Sequence, residues 1–136
     1  MTSQAQKVTQ LCLQHYPNIQ AIYLFGSWET EYETPSSDID IALLLPIPQT
    51  KSLSNLYHTD LHRILEHTWQ RDVDLIHLRQ VSTVLQKEVI QADRRIYCAD
   101  TYAADEFEML VMSYYQKLND ERADILHDFY NSKRAG

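Results

Sequence analysis

The chain has 136 residues, of which 44% are hydrophobic and 23% are charged, and its formal net charge at pH 7 is −7. These values are typical of one folded domain with its own hydrophobic core, and they exclude an intrinsically disordered chain. The excess of acidic residues would repel a polyphosphate backbone, which argues against a protein that wraps nucleic acid. We therefore expect a single domain over residues 1–136.

The sequence also indicates the cellular compartment. No hydrophobic run approaches the roughly 20 residues that cross a bilayer, and no secretory signal is visible. The two cysteines, Cys12 and Cys98, have no metal-ligand spacing, so we expect two reduced thiols. These features predict a cytoplasmic protein.

The first part of the chain predicts one helix and two strands. Hydrophobic residues at helical spacing predict a helix over 3–14, for which Ser3 is a candidate cap. A hydrophobic run predicts a buried strand over 20–25, and the polar residues 26–37 predict a loop. The next strand is predicted over 38–45, where two prolines follow it.

The second part adds two strands and three helices. Amphipathic spacing predicts helices over 52–67, 83–92 and 101–131. Ser82 is positioned to cap the second of these helices. Alternation predicts a strand over 72–78, and a short edge strand is predicted over 95–98. Mixed strands and helices predict an α/β (α+β) fold, with a small mixed β-sheet flanked by helices.

One glycine lies inside the chain, and it marks the first candidate site. Gly26 is followed by Ser27 at the end of the first predicted strand. Glycine allows a sharp turn and lets a ligand approach the main chain closely. Backbone N–H groups and a hydroxyl in such a turn bind phosphate groups. We interpret Gly26 and Ser27 as residues that bind the phosphates of a ligand.

Three aspartates are the candidate catalytic and metal-binding residues. Asp38 and Asp40 are two residues apart in a predicted strand, so their carboxylates share one face. Asp74 lies inside another predicted strand, where an ionisable residue is costly unless it is paired. Mg²⁺ prefers oxygen ligands, and two such ions can bridge the attacking and leaving oxygens at phosphorus. Asp74 is also the candidate base for the incoming hydroxyl, with Asp72 as a weaker alternative.

A second interpretation of the same residues is a loop whose acidic side chains are only solvated. Gly-Ser followed at fixed spacing by Asp-x-Asp arises by chance in about two chains per thousand of this length at average residue frequencies. The coincidence with two strand-like runs makes a binding site the better explanation.

The motif resembles the signature of the nucleotidyltransferase superfamily of the DNA polymerase β type. That signature is Gly-Ser, ten intervening residues and Asp-x-Asp, which here are Gly26-Ser27, residues 28–37 and Asp38-Ile39-Asp40. The third carboxylate of the family lies on a later strand in a Val-Asp-Leu-like context, which matches Asp74. The small size resembles the minimal nucleotidyltransferases, and the resemblance covers nearly the whole chain. It implies a polymerase β-like nucleotidyltransferase fold.

Minimal proteins of this kind are typically antitoxins that accompany a HEPN-domain ribonuclease toxin. The resemblance implies transfer of AMP from ATP to a tyrosine hydroxyl of that toxin, with two Mg²⁺ ions as expected cofactors. It also implies that Asp38, Asp40 and Asp74 hold the metal and that Gly26 and Ser27 contact the phosphates of ATP. Two alternatives remain open: an antitoxin that blocks its toxin by binding alone, and transfer of a nucleotide to a small molecule such as an antibiotic.

The loop after Gly26-Ser27 departs from many relatives, which carry an arginine and a second glycine there. In this chain the loop contains Trp28 and several acidic residues instead. The candidates for a cation that binds the triphosphate are therefore outside the loop: Arg71, Arg79 and Lys87. Trp28 and Tyr32 are candidates for stacking on the nucleotide base.

Three further features are interpreted as structural. His58 and His62 have the spacing of a helical zinc pair, but without a third ligand we expect them on a solvated helix face. His77 is expected to face the surface or a partner. The hydrophobic face of the last helix is expected to pack mainly on its own domain.

Overall fold

A computed structural model describes residues 2–47, 56 and 59–135, with side chains described as far as residue 132. The helices are α1 (Ser3–His15), α2 (Asp60–Trp69), α3 (Thr83–Gln91) and α4 (Thr101–Ala135). The strands are β1 (Ala21–Phe25), β2 (Ile39–Leu44), β3 (Val73–His77) and β4 (Arg95–Cys98).

The strands form one sheet in the order β3-β2-β1-β4. β1 is antiparallel to both β2 and β4, whereas β2 and β3 are parallel. A parallel pair needs a crossover connection, and α2 lies in the segment that joins these two strands. The mixed sheet with flanking helices confirms the predicted α/β (α+β) architecture.

Alternate strand residues build a hydrophobic core on each face of the sheet. On one face, Ile39, Ile41 and Leu43 of β2 join a core that also contains residues of α1 and α2. On the other face, Ala42 and Leu44 join a core with residues of α3 and α4. Asp40 alternates with the first set, so its side chain lies on the α3/α4 face, at the end of β2 where the loop enters.

Side-chain caps define the beginnings of the helices. Thr2 rather than Ser3 caps α1, because the Thr2 hydroxyl accepts a hydrogen bond from the Ala5 N–H at 3.1 Å. Ser82 caps α3 as predicted. The helix predicted over 52–67 is described from Asp60 onward, where Thr59 is the cap, and residues 48–55 and 57–58 lie outside the described residues.

The long helix α4 uses only its first half for the core. Ala104, Phe107 and Val111 are buried, whereas further along the helix Ile125 is 68% exposed. The expectation that its hydrophobic face packs mainly on its own domain is therefore wrong for the second half, because the helix extends beyond the sheet that it covers. Among the described residues, no helix is both long and hydrophobic enough to cross a membrane.

Candidate active site

Two of the three candidate aspartates lie side by side on neighbouring strands. Asp40 of β2 and Asp74 of β3 are direct partners in the parallel register, so their side chains share one face of the sheet, on strands about 4.8 Å apart. Asp38 precedes β2 and is exposed. Burial, followed by the negative charges of Asp74 and Asp38, raises the pKa of Asp40 to about 6. The structure thus brings the three carboxylates into one electrostatic cluster.

The internal glycine faces this cluster. Gly26 follows β1, whose last residue, Phe25, is paired with Asp40. The φ angle of Gly26 is 73°, in the left-handed region that favours glycine. A Cβ atom at this position would overlap the Oδ2 atom of Asp40 and would lie 3.0 Å from its Cγ. The turn therefore needs glycine both for its backbone conformation and for its close approach to the carboxylate.

The loop from Gly26 to Asp38 is closed by its own side chains. The Ser27 hydroxyl donates to the Ser37 hydroxyl at 2.9 Å, and Ser37 Oγ accepts from the Thr34 N–H at 2.8 Å. Arg71, which lies just before β3, donates to the Ser37 carbonyl at 3.2 Å and forms an ion pair with Glu33 at 3.2 Å. These contacts hold the two ends of the loop together, next to Asp38.

A second arginine, which sequence reasoning missed, binds the beginning of the loop. Arg94 donates to the carbonyl oxygens of Gly26 at 3.2 Å and Trp28 at 2.6 Å. No spacing in the sequence connects Arg94 with residues 26–28, because the contact depends on how β4 pairs with β1. Only a correct prediction of that strand pairing would have identified it.

Trp28 is a core residue and not a free aromatic surface. Its side chain is 3% exposed, and its ring meets that of Trp69 edge-on, with centroids 5.7 Å apart and planes at 77°. The prediction that Trp28 stacks on a nucleotide base is therefore wrong, because its faces are already packed. Tyr32, the other candidate, is 75% exposed and stays available for a ligand.

Because Trp28 anchors the loop in the core, Trp28→Ala is expected to destabilise the protein by about 3–5 kcal/mol. Urea unfolding followed by circular dichroism measures this change. Trp28→Phe keeps an aromatic ring at the site and should lose clearly less stability. An equal loss for both variants would contradict a packing role for the indole ring.

The start of β3 is held by two side chains of α2. His62 Nε2 lies 2.8 Å from the Val73 carbonyl oxygen, and Glu66 accepts from the Val73 N–H at 3.1 Å. β3 is an edge strand, so these contacts satisfy backbone groups that would otherwise lack a strand partner. The expectation of a solvated His62 is wrong, because this residue is 5% exposed and fixes the backbone next to Asp74. His58 lies outside the described residues.

The three cations proposed from the sequence occupy different places. Arg71 binds the loop, as described above. Arg79 donates to the Leu45 carbonyl at 2.7 Å, five residues beyond Asp40 and hence about 16 Å along the strand, which argues against a role in phosphate binding. Lys87 lies over the ring of Tyr115, 4.8 Å from its centroid.

Two other expectations concern His77 and the two cysteines. His77 is 3% exposed, so the expected surface position is wrong; it belongs to a strand that is covered on both faces. Burial and the nearby charge of Arg79 lower the pKa of His77, which favours the neutral ring. Cys12 and Cys98 are free cysteines, as expected.

The chemistry of the carboxylate cluster fits a divalent cation. Within the described residues, no three histidine, cysteine or acidic side chains already surround a common ion position. Mg²⁺ does not require such a cage, because it keeps several waters and is usually held by one or two carboxylates together with substrate phosphates. The donors here are all oxygen atoms, and the negative charges of Asp74 and Asp38 add to the effect of burial in raising the pKa of Asp40. Both properties suit Mg²⁺.

A cleft of about 480 Å³ opens beside Asp38, between the end of the loop and residues 70–72. Asp72, the weaker candidate of the sequence analysis, lines this cleft together with Asp38. Of the three candidate aspartates only Asp38 lines the cleft, so it lies at the β3 edge of the sheet and beside, not in front of, the pair Asp40 and Asp74.

Comparison with known proteins identifies relatives over most of the chain. Residues 6–102 match the family model described as "Polymerase beta, Nucleotidyltransferase". The chain is 36% identical over 123 residues to the protein adenylyltransferase MntA of Shewanella oneidensis. The matched region covers 90% of this chain and 84% of that protein.

Solved structures give the same result. A chain of a toxin–antitoxin crystal structure with AMP-PNP is 33% identical, has a TM-score of 0.76, and is matched over 91% of this chain and 96% of its own length. A chain of a complex between a tri-AMPylated HEPN toxin of Shewanella oneidensis and its MNT antitoxin is 34% identical, with a TM-score of 0.69 and coverage of 91% and 93%. Together with the Gly-Ser turn that faces paired aspartates, these matches show that the chain belongs to the polymerase β-type nucleotidyltransferase family.

Proposed function

We propose that this protein is an antitoxin that acts as a Mg²⁺-dependent protein adenylyltransferase. In this proposal it transfers AMP from ATP to a tyrosine hydroxyl of a HEPN-domain ribonuclease toxin and thereby inactivates the toxin. The observation that carries the proposal is the register pairing of Asp40 with Asp74 in front of the Gly26 turn. Its support from relatives is the 36% identity to a protein adenylyltransferase.

The reaction is a displacement at the α-phosphorus of ATP. The acceptor oxygen forms a bond to this phosphorus, the bond to the β-phosphate bridging oxygen breaks, and pyrophosphate leaves. The Gly26-Ser27 turn is proposed to bind the departing phosphates through backbone N–H groups. Asp74 is proposed to take the proton of the acceptor hydroxyl.

Asp38, Asp40 and Asp74 are proposed to hold the metal. When bound, Mg²⁺ supplies neutralisation of the negative charge that develops on the phosphate oxygens. The protein then contributes mainly positioning, since phosphoryl transfer needs little covalent chemistry from the enzyme. The net charge of −7 makes this local neutralisation more important, because the surrounding field repels ATP.

Intact-mass spectrometry of the partner tests the function directly. After incubation with this protein, ATP and Mg²⁺, the HEPN toxin should gain ~329 Da per transferred AMP group, as a nucleotidyl transfer requires. Peptide mapping should place the added mass on tyrosine. Binding of the toxin without any gain in mass would contradict the enzymatic function.

A second candidate function is neutralisation of the toxin by binding alone. It is favoured by one observation: Ile125, Leu126, Phe129 and Tyr130 on the second half of α4 are each more than half exposed, as on surfaces that bind proteins. Asp40→Asn distinguishes the two functions, because it removes a candidate metal ligand and leaves α4 unchanged. Full protection of cells by this variant would favour binding alone.

The compartment and the domain organisation are part of the same proposal. We propose action in the cytoplasm, which agrees with two free cysteines in a reducing environment. A single nucleotidyltransferase domain over residues 1–136 is proposed, since α4 packs on the same sheet that carries the aspartates.

A further inference from the structure

Arg94 is fixed to the same strand that carries the Gly-Ser turn. It lies between α3 and β4, directly after Asp93, whose φ angle of 56° turns the chain back towards the sheet. The Arg94 carbonyl accepts a hydrogen bond from the Leu24 N–H at 3.0 Å. This hydrogen bond holds the backbone of Arg94 against Leu24, which lies two residues before Gly26. The side chain of Arg94 extends along the turn.

The guanidinium group of Arg94 determines which way two peptide groups of the turn face. It donates to the carbonyl oxygens of Gly26 and Trp28, at 3.2 and 2.6 Å. In a trans peptide the carbonyl and the next N–H point in opposite directions. The Gly26 carbonyl faces Arg94, so the Ser27 N–H points away from it, and among the described residues none accepts a hydrogen bond from this amide.

We propose that Arg94 is a positioning residue for nucleotide binding, because it holds the turn with the Ser27 amide directed towards the phosphates of the nucleotide. This inference rests on the proposed function. The loop itself contains no arginine, and Arg94 orders it from outside. The planar guanidinium reaches two carbonyl groups at once, which a lysine ammonium at the end of a flexible chain does poorly.

Arg94→Lys tests the proposal, because it keeps the positive charge and loses the two-pronged contact. We expect the affinity for AMP-PNP, measured by isothermal titration calorimetry with Mg²⁺, to fall about tenfold, as the loss of one charge-assisted hydrogen bond would cause. In the transfer reaction the KM for ATP should rise by a similar factor while kcat changes little. A merely structural role would instead lower the active fraction, and hence kcat, with no change in KM.

Arg95→Lys is the matched control. Arg95 is the next residue, and its side chain forms ion pairs with Asp105 at 3.0 Å and Glu108 at 2.6 Å, both on α4. Its replacement should leave the affinity for AMP-PNP and the KM for ATP unchanged. Equal losses for both variants would overturn the specific role of Arg94, and so would wild-type affinity in Arg94→Lys.

A measurement on the unmodified protein covers the case in which Arg94→Lys does not fold. The amide resonance of Ser27 in a ¹H–¹⁵N spectrum should shift strongly when AMP-PNP and Mg²⁺ are added. An unmoved Ser27 resonance at saturating AMP-PNP would overturn the proposal. Because these binding measurements need no toxin, AMP-PNP binding that depends on Arg94 together with no gain in toxin mass would refute the proposed transfer while supporting the role of Arg94.

Discussion

Replacing Asp40 with asparagine is expected to reduce AMP transfer about a thousandfold, a loss comparable to that of one group that stabilises transition-state charge. Asp40 is the register partner of Asp74 across the strands and lies two residues after Asp38 in the sequence. Asparagine keeps its shape but loses the negative charge that a metal needs. The initial rate of mass gain by the toxin at saturating ATP measures the effect.

The same substitution should stabilise the protein in the absence of metal. The pKa of Asp40 is about 6 in the folded state, above the ordinary value of 3.8 for an aspartate, so the folded chain holds this proton more tightly than the unfolded chain. The stabilisation from the proton is complete below about pH 4 and is lost as the pH rises through 6. At neutral pH the charged Asp40 therefore costs stability, by about 1 kcal/mol after allowance for solvent screening.

Urea unfolding with EDTA at pH 4 and pH 7.5 checks this sign. Asp40→Asn should be more stable than the wild type at pH 7.5 and nearly equal to it at pH 4, where both side chains are neutral. Asp60→Asn is a suitable control, because Asp60 is an exposed carboxylate on α2, outside the cluster, and forms a 3.7 Å ion pair with Arg63. A loss of stability in Asp40→Asn at neutral pH would contradict the cost of a charged Asp40 that arises from its burial and from the neighbouring carboxylates.

The sequence predicts the strands well because they depend on local patterns. The hydrophobic neighbours of Asp40 and Asp74 place both inside strands, whereas Asp38, predicted to begin the same strand as Asp40, lies just before β2. The family signature then connects Gly26-Ser27 with these aspartates over a fixed distance in the chain. The parallel register of Asp40 with Asp74 needs the structure, since strand pairing is decided by packing across the whole sheet.

The incorrect predictions concern residues whose environment depends on distant parts of the chain. Trp28 has the sequence context of a loop residue, yet its ring is buried against Trp69, 41 positions further along the chain. His62 lies among polar neighbours on its helix, but it is covered by β3, where its Nε2 atom contacts the Val73 carbonyl oxygen. Local hydrophobicity cannot indicate either contact, because both depend on tertiary packing.

The supporting arginines were missed or unranked for a similar reason. Arg71 and Arg94 approach the loop from opposite sides, one next to β3 and the other next to β4. Both bind backbone carbonyl groups. Because every residue has such a group, no residue type in the loop indicates that an arginine binds there. The candidate carboxylates are thus recognisable from the sequence, whereas the groups that hold the loop in place become visible only in the fold.

Gly26→Ala is expected to lower AMP transfer by about a hundredfold or more, the cost of a displacement of roughly 1 Å at a reacting centre. The new Cβ atom would overlap Oδ2 of Asp40, so either the turn or the carboxylate has to move. The φ angle of 73° adds backbone strain of about 1–2 kcal/mol for a residue with a side chain. The rate of AMP transfer to the toxin measures the loss of activity, and urea unfolding measures the loss of stability.

A double-mutant cycle separates the overlap from the backbone strain. In an Asp40→Ala background the Oδ2 atom is absent, so Gly26→Ala should cost only the strain and therefore less free energy of unfolding than in the wild type. The difference between the two costs reports the contact between the turn and the carboxylate. Identical costs in both backgrounds would mean that the turn does not approach Asp40 closely, and the phosphates of a nucleotide would then have to be bound elsewhere.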